Sequence, residues 1–357
     1  MTKVHKFGPL ILVILFWLVD LISKLKYNGL IYGFDYGLYH PDGSLYTFRT
    51  LNLMGHSQLD SGQMVSDWYA NHAYKMKEID PSSLFYDINS QWDRYLPRIL
   101  YPLLSIPFVS IFGISGMLFI PALSMLVLML TIYFVAVKLE RKWLGVSLAI
   151  ALSLSLTVNR WMFINTTDSL LTGLTALIIP FLLTKKTNRM WWLGILSLIL
   201  LTSLTRVSFF IWIPIALVLF FNGRRRDSLI IFISSLLDFL PSIYRNTSSA
   251  ILPNESSNSA VEKLLAFPKS LIRVAYYEIA ELAVLDRLLL ILLAITFVLA
   301  IKNFGRLSSQ YFLCVLAGLW FTGAVNGTPG VNFRYQLPVL AFLVWGLLDN
   351  LRVKALH

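Results

Sequence analysis

Long apolar runs and short polar ones alternate along this chain, and one polar stretch stands apart from the rest. Runs of roughly 17–25 apolar residues recur from end to end, and a helix needs about 20 to cross the hydrocarbon of a bilayer. Ten of them read as spanning helices, at roughly 8–23, 116–137, 143–158, 166–184, 190–205, 207–222, 228–243, 284–302, 309–325 and 336–350. Helix is the expected form because backbone groups in lipid must pair within their own segment. The exception is Lys24–Arg98, which holds eight acidic residues and three of the five histidines. In a chain this apolar, most of the polar surface available for chemistry is concentrated there. The pattern predicts an all-α polytopic membrane protein in a single integral domain, 1–357, with about ten transmembrane helices. A large first extracytoplasmic loop, 24–113, should carry interfacial helices, and a second loop should cover 244–283.

Composition agrees. The 357 residues are 57% hydrophobic and 14% charged, against about 25% charged in soluble domains, and mean hydropathy is +0.68. The net charge of +11 would suit a nucleic-acid partner, but its distribution excludes one. Half of the thirty basic residues fall in six clusters between apolar runs: Lys3/Lys6, Lys138/Arg141/Lys142, Lys185/Lys186/Arg189, Arg224–Arg226, Lys302/Arg306 and Arg352/Lys354. Short basic loops of this kind face the cytoplasm. Both termini are therefore expected on the cytoplasmic side, with 24–98, 159–165, the link at Arg206, 244–283 and 326–335 on the other. This parity holds only if Tyr95–Gly113 does not cross. Pro97, Pro102 and Pro107 each disfavour a helix interior, so the segment is expected to lie in the outer interface, with Trp92, Tyr95 and Tyr101 at headgroup level. The run Gly8–Val19 resembles a signal peptide, but no small-x-small site follows it, and an uncleaved first span is expected. The single cysteine, Cys314, excludes an intramolecular disulfide and a Cys-based zinc site.

Within the long polar stretch, Pro41-Asp42 can start a helix through Ser44–Met54, with Asp42 as N-cap or first-turn acid. Asp42, Tyr46 and Arg49 then share one helical face. Asp60-Ser61-Gly62-Gln63 resembles a second helix start, leading into an amphipathic helix over Met64–Lys77. Ile79-Asp80-Pro81-Ser82 reads as a turn, and Arg245–Ala260 as a Ser/Asn-rich loop. A carboxylate near the interface, such as Asp42, can act as a general base.

Several short motifs follow one another in an order that resembles the glycosyltransferases of the GT-C fold, which include the protein O-mannosyltransferases and the aminoarabinose transferase. Asp42-Gly43-Ser44-Leu45-Tyr46-Thr47-Phe48-Arg49 looks like the segment after their first span, where an Asp, usually Asp-Glu, precedes a Tyr and a short interfacial helix. Tyr95-Leu96-Pro97-Arg98-Ile99-Leu100-Tyr101-Pro102-Leu103-Leu104, ending at Phe112-Gly113, is similar to their Pro-rich interfacial helix. Asn165-Thr166-Thr167-Asp168-Ser169-Leu170-Leu171 resembles their Thr-Asp-x-Leu-Leu. Leu201-Thr202-Ser203-Leu204-Thr205-Arg206 stands where they carry Leu-Leu-Thr-Lys, and Asn332-Phe333-Arg334-Tyr335-Gln336-Leu337-Pro338 looks like their Arg-Tyr-x-x-Pro. The likeness covers about residues 1–220 closely and the remainder loosely. Gly43 replaces the second acid of the Asp-Glu pair, so a divalent metal is not expected and Asp42 stands as the lone carboxylate there.

The resemblance implies a membrane glycosyltransferase that moves a hexosyl or pentosyl unit from a polyprenyl-phosphate carrier to an acceptor at the outer face, with no cofactor beyond the lipid-linked donor. Carried over by position, Asp42 would be the catalytic base. Arg206 and Arg334 would face the lipid phosphate, because a guanidinium pairs phosphate oxygens in a planar fork. Asp168, Tyr46 and Arg49 would line the same site, with Arg160 and Arg245 as weaker phosphate candidates. The expected partners are membrane lipid and the lipid-linked sugar. The rival reading is a non-enzymatic multi-pass protein, a lipid or solute transporter or an assembly partner, on the same architecture. Three further signals stand alone. His40, His56 and His72 share the loop, at a spacing that matches no helical metal motif. Asp20 is an acid near the outer end of the first span. Asn165, Asn246, Asn254 and Asn326 each begin an Asn-x-Ser/Thr triplet.

Overall fold

A computed structural model of the chain describes residues 4–28, 38–72, 98–184, 188–206, 208–239, 260–326 and 333–351. Every regular element among them is helical. The helices most relevant to the site are grouped around α16 (Leu340–Asn350), in which every residue from Leu340 to Leu348 is buried. A helix that is apolar all round needs a neighbour on every face. These neighbours are α5 (Phe119–Lys138), α8 (Thr167–Ala176), α14 (Arg287–Lys302) and α15 (Leu307–Asn326).

α1 (Val4–Lys26) packs on α5 and α6 (Lys142–Leu154), with much of its apolar surface left exposed. α10 (Arg189–Ser203), α11 (Phe209–Phe221) and α12 (Arg225–Ser235) follow in sequence, and α11 packs on both α12 and α15. Each of the ten predicted spans overlaps a helix. Among the described residues, two helical stretches can cross a membrane by length and composition, Gly8–Lys26 and Leu100–Lys138. A third qualifies if the bent pair Lys142–Leu154 and Leu156–Met162 counts as one span. Other apolar stretches, such as Thr167–Leu182 and Arg189–Ser203, are shorter.

The breaks have local causes. α6 and α7 (Leu156–Met162) meet at 73° at Ser155, which caps α7 by accepting from the Val158 N–H. The Asp286 carboxylate accepts from the Ser155 hydroxyl, from the Thr157 N–H at 2.9 Å and from the Leu289 N–H at 3.1 Å. One acid therefore caps α14 and ties it to the start of α7. α8 gives way to α9 (Ile178–Leu182) where Pro180 cannot donate to the Ala176 carbonyl.

α4 (Leu100–Phe112) does not run on into α5 as a straight rod. The Tyr101 hydroxyl donates to the Met117 carbonyl at 2.9 Å, whereas sixteen residues of straight helix would hold them about 24 Å apart. The chain folds back at Gly113, whose φ of 61° suits a residue without a Cβ. Gly116 then lies against the Phe108 backbone, where a Cβ would collide. The Phe119 ring closes the turn by stacking on Phe108 and Phe112, at 5.0 and 4.7 Å. Trp92, Tyr95 and the turn at Ile79–Ser82 lie outside the described residues.

One sequence expectation needs correction. The helix expected over Met64–Lys77 is α3, Gln58–His72. It starts earlier because Ser57, not Asp60, is the cap: the Ser57 hydroxyl accepts from the Asp60 N–H at 3.1 Å and donates to the Asp60 carboxylate at 2.6 Å. The segment 244–283, expected as the second extracytoplasmic loop, contains much of a helix, α13, Ala260–Leu285. Its apolar residues are interrupted by charge, so no run is long enough to register as a span, yet they pack against α14 and α15. Arg245 and most of the Ser/Asn-rich stretch lie outside the described residues.

Candidate functional site

The site is built at the starts of helices. α2 (Pro41–Leu53) begins with Pro at its first position, where the missing N–H costs nothing. His40 is the cap, its Nδ1 accepting from the Asp42 N–H at 3.2 Å. Asp42 is thus the first-turn acid, not the cap, and its side chain remains 37% exposed. Asp168 occupies the first turn of α8, with its side chain 2% exposed. Arg206 lies just past α10, and Arg334 opens a short 3-10 helix, Arg334–Val339, after Phe333 in the left-handed region.

These four residues form one chain of alternating charge. Arg334 donates to Asp42 Oδ2 and, through Nε, to Asp168 Oδ2, both at 2.7 Å. Arg206 donates to the other Asp168 oxygen. Two carboxylates and two guanidiniums balance in charge, and the two arginines offset the cost of burying the Asp168 carboxylate. Aromatic faces flank both cations: Arg334 sits 4.8 Å from the Trp161 ring centre and Arg206 4.3 Å from that of Tyr335, both within cation–π range. Burial alone would push the Asp42 carboxyl up, but Arg334 and then His40 hold it below the usual carboxylate range. Burial also keeps the His40 imidazole below its ordinary value, against the pull of Asp42.

Tyr46 joins the same region. Its hydroxyl lies 3.3 Å from Thr167 Oγ1 and accepts from Arg98 at 3.0 Å. Arg49, three residues further along α2, is not among the charged groups acting most strongly on either aspartate. Arg160 lies 5.7 Å from the Trp161 ring. Beside the ion chain is a tight cleft, with room for about one water molecule, whose lining combines Asp168, Arg206 and Arg334 with Phe210, Ile211 and Leu319. The lining sets charged groups against an apolar wall. Trp161, Tyr335 and His40 as a cap were not read from the sequence. Aromatics are too common in this chain for their types to mark a site.

Gly43, which stands where the resemblance expects the second acid, has a steric reason to be glycine. A Cβ there would overlap the Asn165 carboxamide. Asn165 is fully buried, so as folded it is closed to glycosylation; the side chains of Asn246, Asn254 and Asn326 lie outside the described residues. The three histidines are dispersed: His40 faces Trp161, and His72 stacks on Trp68 at 3.8 Å. Among the described residues no cluster of His, Cys, Asp and Glu is placed to hold a metal ion. Asp20 forms a buried ion pair with Lys24, one turn on, and the Lys24 ammonium lies 3.5 Å from the Phe163 ring centre.

An all-helical, strongly apolar protein of this kind is an integral membrane protein, with paired acids and arginines brought together from remote segments. Residues 97–241 match the family described as dolichyl-phosphate-mannose-protein mannosyltransferase. The match is consistent with a GT-C-fold glycosyltransferase and implies a membrane enzyme that uses a polyprenyl-phosphate-linked sugar. Asp168 and Arg206 lie within the matched segment, while Asp42 and Arg334 lie outside it and are joined to it by the ion pairs. No curated protein and no solved structure matches the chain.

Proposed function

We propose that this protein transfers a sugar from a polyprenyl-phosphate carrier to an acceptor at the extracytoplasmic face of the membrane, with Asp42 as the base. The observation that carries the reading is the convergence of Asp42, Asp168, Arg206 and Arg334, from four separate segments, beside a cleft with an apolar wall. The charge asymmetry of the loops supports the orientation, with basic clusters inside and the polar stretch carrying Asp42 outside.

The pairing suggests how the groups work. Asp42 Oδ2 is held by Arg334, and the partly exposed carboxylate can still be approached by an acceptor. A carboxylate held below its usual range is a weak base. When the donor phosphate takes hydrogen bonds from Arg334 and Arg206, the hold of Arg334 on Asp42 loosens and the carboxylate's basicity rises. Asp42 then takes the acceptor's proton as the acceptor attacks the anomeric carbon from the face opposite the phosphate. The new bond forms, the bond from the anomeric carbon to phosphate oxygen breaks, and the electron pair leaves with the polyprenyl phosphate. The two guanidiniums stabilise that developing charge. The sugar's configuration inverts.

The test is transfer from a polyprenyl-phosphate sugar by protein in proteoliposomes. Asp42→Asn should lose activity by roughly 10²–10⁴-fold while folding normally. Unchanged transfer by a folded Asp42→Asn protein would refute the assignment.

A further inference from the structure

Asp42 and Asp168 can share one guanidinium only if the starts of α2 and α8 are held in register. Beside the contact of the Tyr46 hydroxyl with Thr167, most of the hydrogen bonds that do this converge on one side chain. Asn165 Oδ1 accepts from the His40 N–H at 3.0 Å, two residues before Asp42, and Asn165 Nδ2 donates to the Tyr69 hydroxyl on α3 at 2.5 Å. The Asn165 N–H donates to the Leu38 carbonyl at 3.3 Å. The carboxamide also fills the space over Gly43, and Thr47 on α2 lies 3.5 Å from the same Tyr69 hydroxyl. Asn165 itself is three residues before Asp168 and has no exposed surface. A carboxamide suits the place because it offers an acceptor to a backbone N–H and a donor to a phenol oxygen in one group.

We propose that Asn165 is a positioning residue: its carboxamide, seated on Gly43, sets the start of α2 against the start of α8 and so fixes Asp42 and Asp168 on two different nitrogens of Arg334. Its kinetic consequence rests on the glycosyl-transfer reading; its structural consequence does not. Removal of the carboxamide lets the first turn of α2 drift. A displacement of about 1 Å at a reacting group can lower turnover by roughly a hundredfold. Asn165→Asp keeps an oxygen for the His40 N–H and can accept the Tyr69 proton, so the register holds, but it adds a negative charge beside Asp42.

The contact is tested first without substrate, by thermal unfolding of purified Gly43→Ala, Asn165→Ala and the double variant. Gly43→Ala should lower Tm in the native background and have little effect once Asn165 is Ala, a departure from additivity of more than about 2 °C. Additive shifts would overturn the proposal, whatever the protein's activity. With a polyprenyl-phosphate sugar as donor, Asn165→Ala should lose roughly a hundredfold in kcat with KM for the donor within about threefold of native. Asn165→Asp should recover most of kcat and shift the acid limb of the pH profile upward. A rise in KM with native kcat, or a loss of activity that only tracks loss of folded protein, would also overturn it. If the native protein transferred sugar from no polyprenyl-phosphate donor, the functional reading would fall and the thermal cycle alone would decide the contact.

Discussion

Asp42 and Asp168 pair with the same guanidinium, yet removal of their charges should have opposite effects on stability and activity. Asp168 is 2% exposed and accepts from Arg334 at 2.7 Å and from Arg206. Asp168→Asn retains one acceptor oxygen and turns an amide N–H₂ toward a guanidinium. It loses at least one charge-assisted hydrogen bond, about 1.5–3 kcal/mol, and leaves Arg206 buried with no carboxylate opposite it. Breaking one side of a buried pair costs about 3–5 kcal/mol, and we expect a loss in that range. Asp42 makes one such bond, and its side chain is 37% exposed. Solvent screens that pair, so Asp42→Asn should cost only about 0.5–1 kcal/mol. Denaturant unfolding of both variants in the same detergent measures the difference, and transfer assays on the same preparations measure activity. The expected outcome is a folded, inactive Asp42→Asn protein and a markedly destabilised Asp168→Asn protein. An Asp168→Asn loss under about 1 kcal/mol, or equal losses at both positions, would refute the view that Asp168 is the buried hub of the ion chain.

Stability should also depend on pH through His40. Because burial holds its imidazole below the ordinary value, the unfolded chain takes up a proton first. Stability therefore falls as pH drops from about 6.5 towards the folded value. Asp42, held below the usual carboxylate range, keeps its contribution above about pH 4 and loses it only as pH falls through its folded value. Any slope that these two groups cause between pH 5 and 7 thus belongs to His40. His40→Asn, which retains a good cap, should flatten the Tm profile across that window. Arg206→Leu should weaken binding of farnesyl phosphate, a short polyprenyl monophosphate, by roughly tenfold or more, read by titration calorimetry. Ser57→Ala, which removes the cap of α3, should cost about 0.5–2 kcal/mol and leave transfer unchanged.

Much of the architecture can be read from the sequence, because lipid acts on every residue locally. An apolar run long enough to span must be helical wherever it lies, regardless of what packs beside it. Pro41-Asp42 announces a helix start by the same local logic. α13 escaped because its apolar residues are set between Glu and Lys, and only packing against α14 and α15 gives them a buried face. The candidate charged residues were legible one at a time, as acids and arginines at span ends, but not as a network. Asp42 and Arg334 are 292 positions apart, and no pattern along the chain fixes which guanidinium a carboxylate will meet. Gly43 shows the same limit most plainly. In the sequence it is a missing acid; in the fold it is the space that the Asn165 carboxamide occupies. Hydrophobic periodicity and charge bias are sums over near neighbours. A buried ion chain depends on angstrom-scale distances between remote segments, and only tertiary packing sets those.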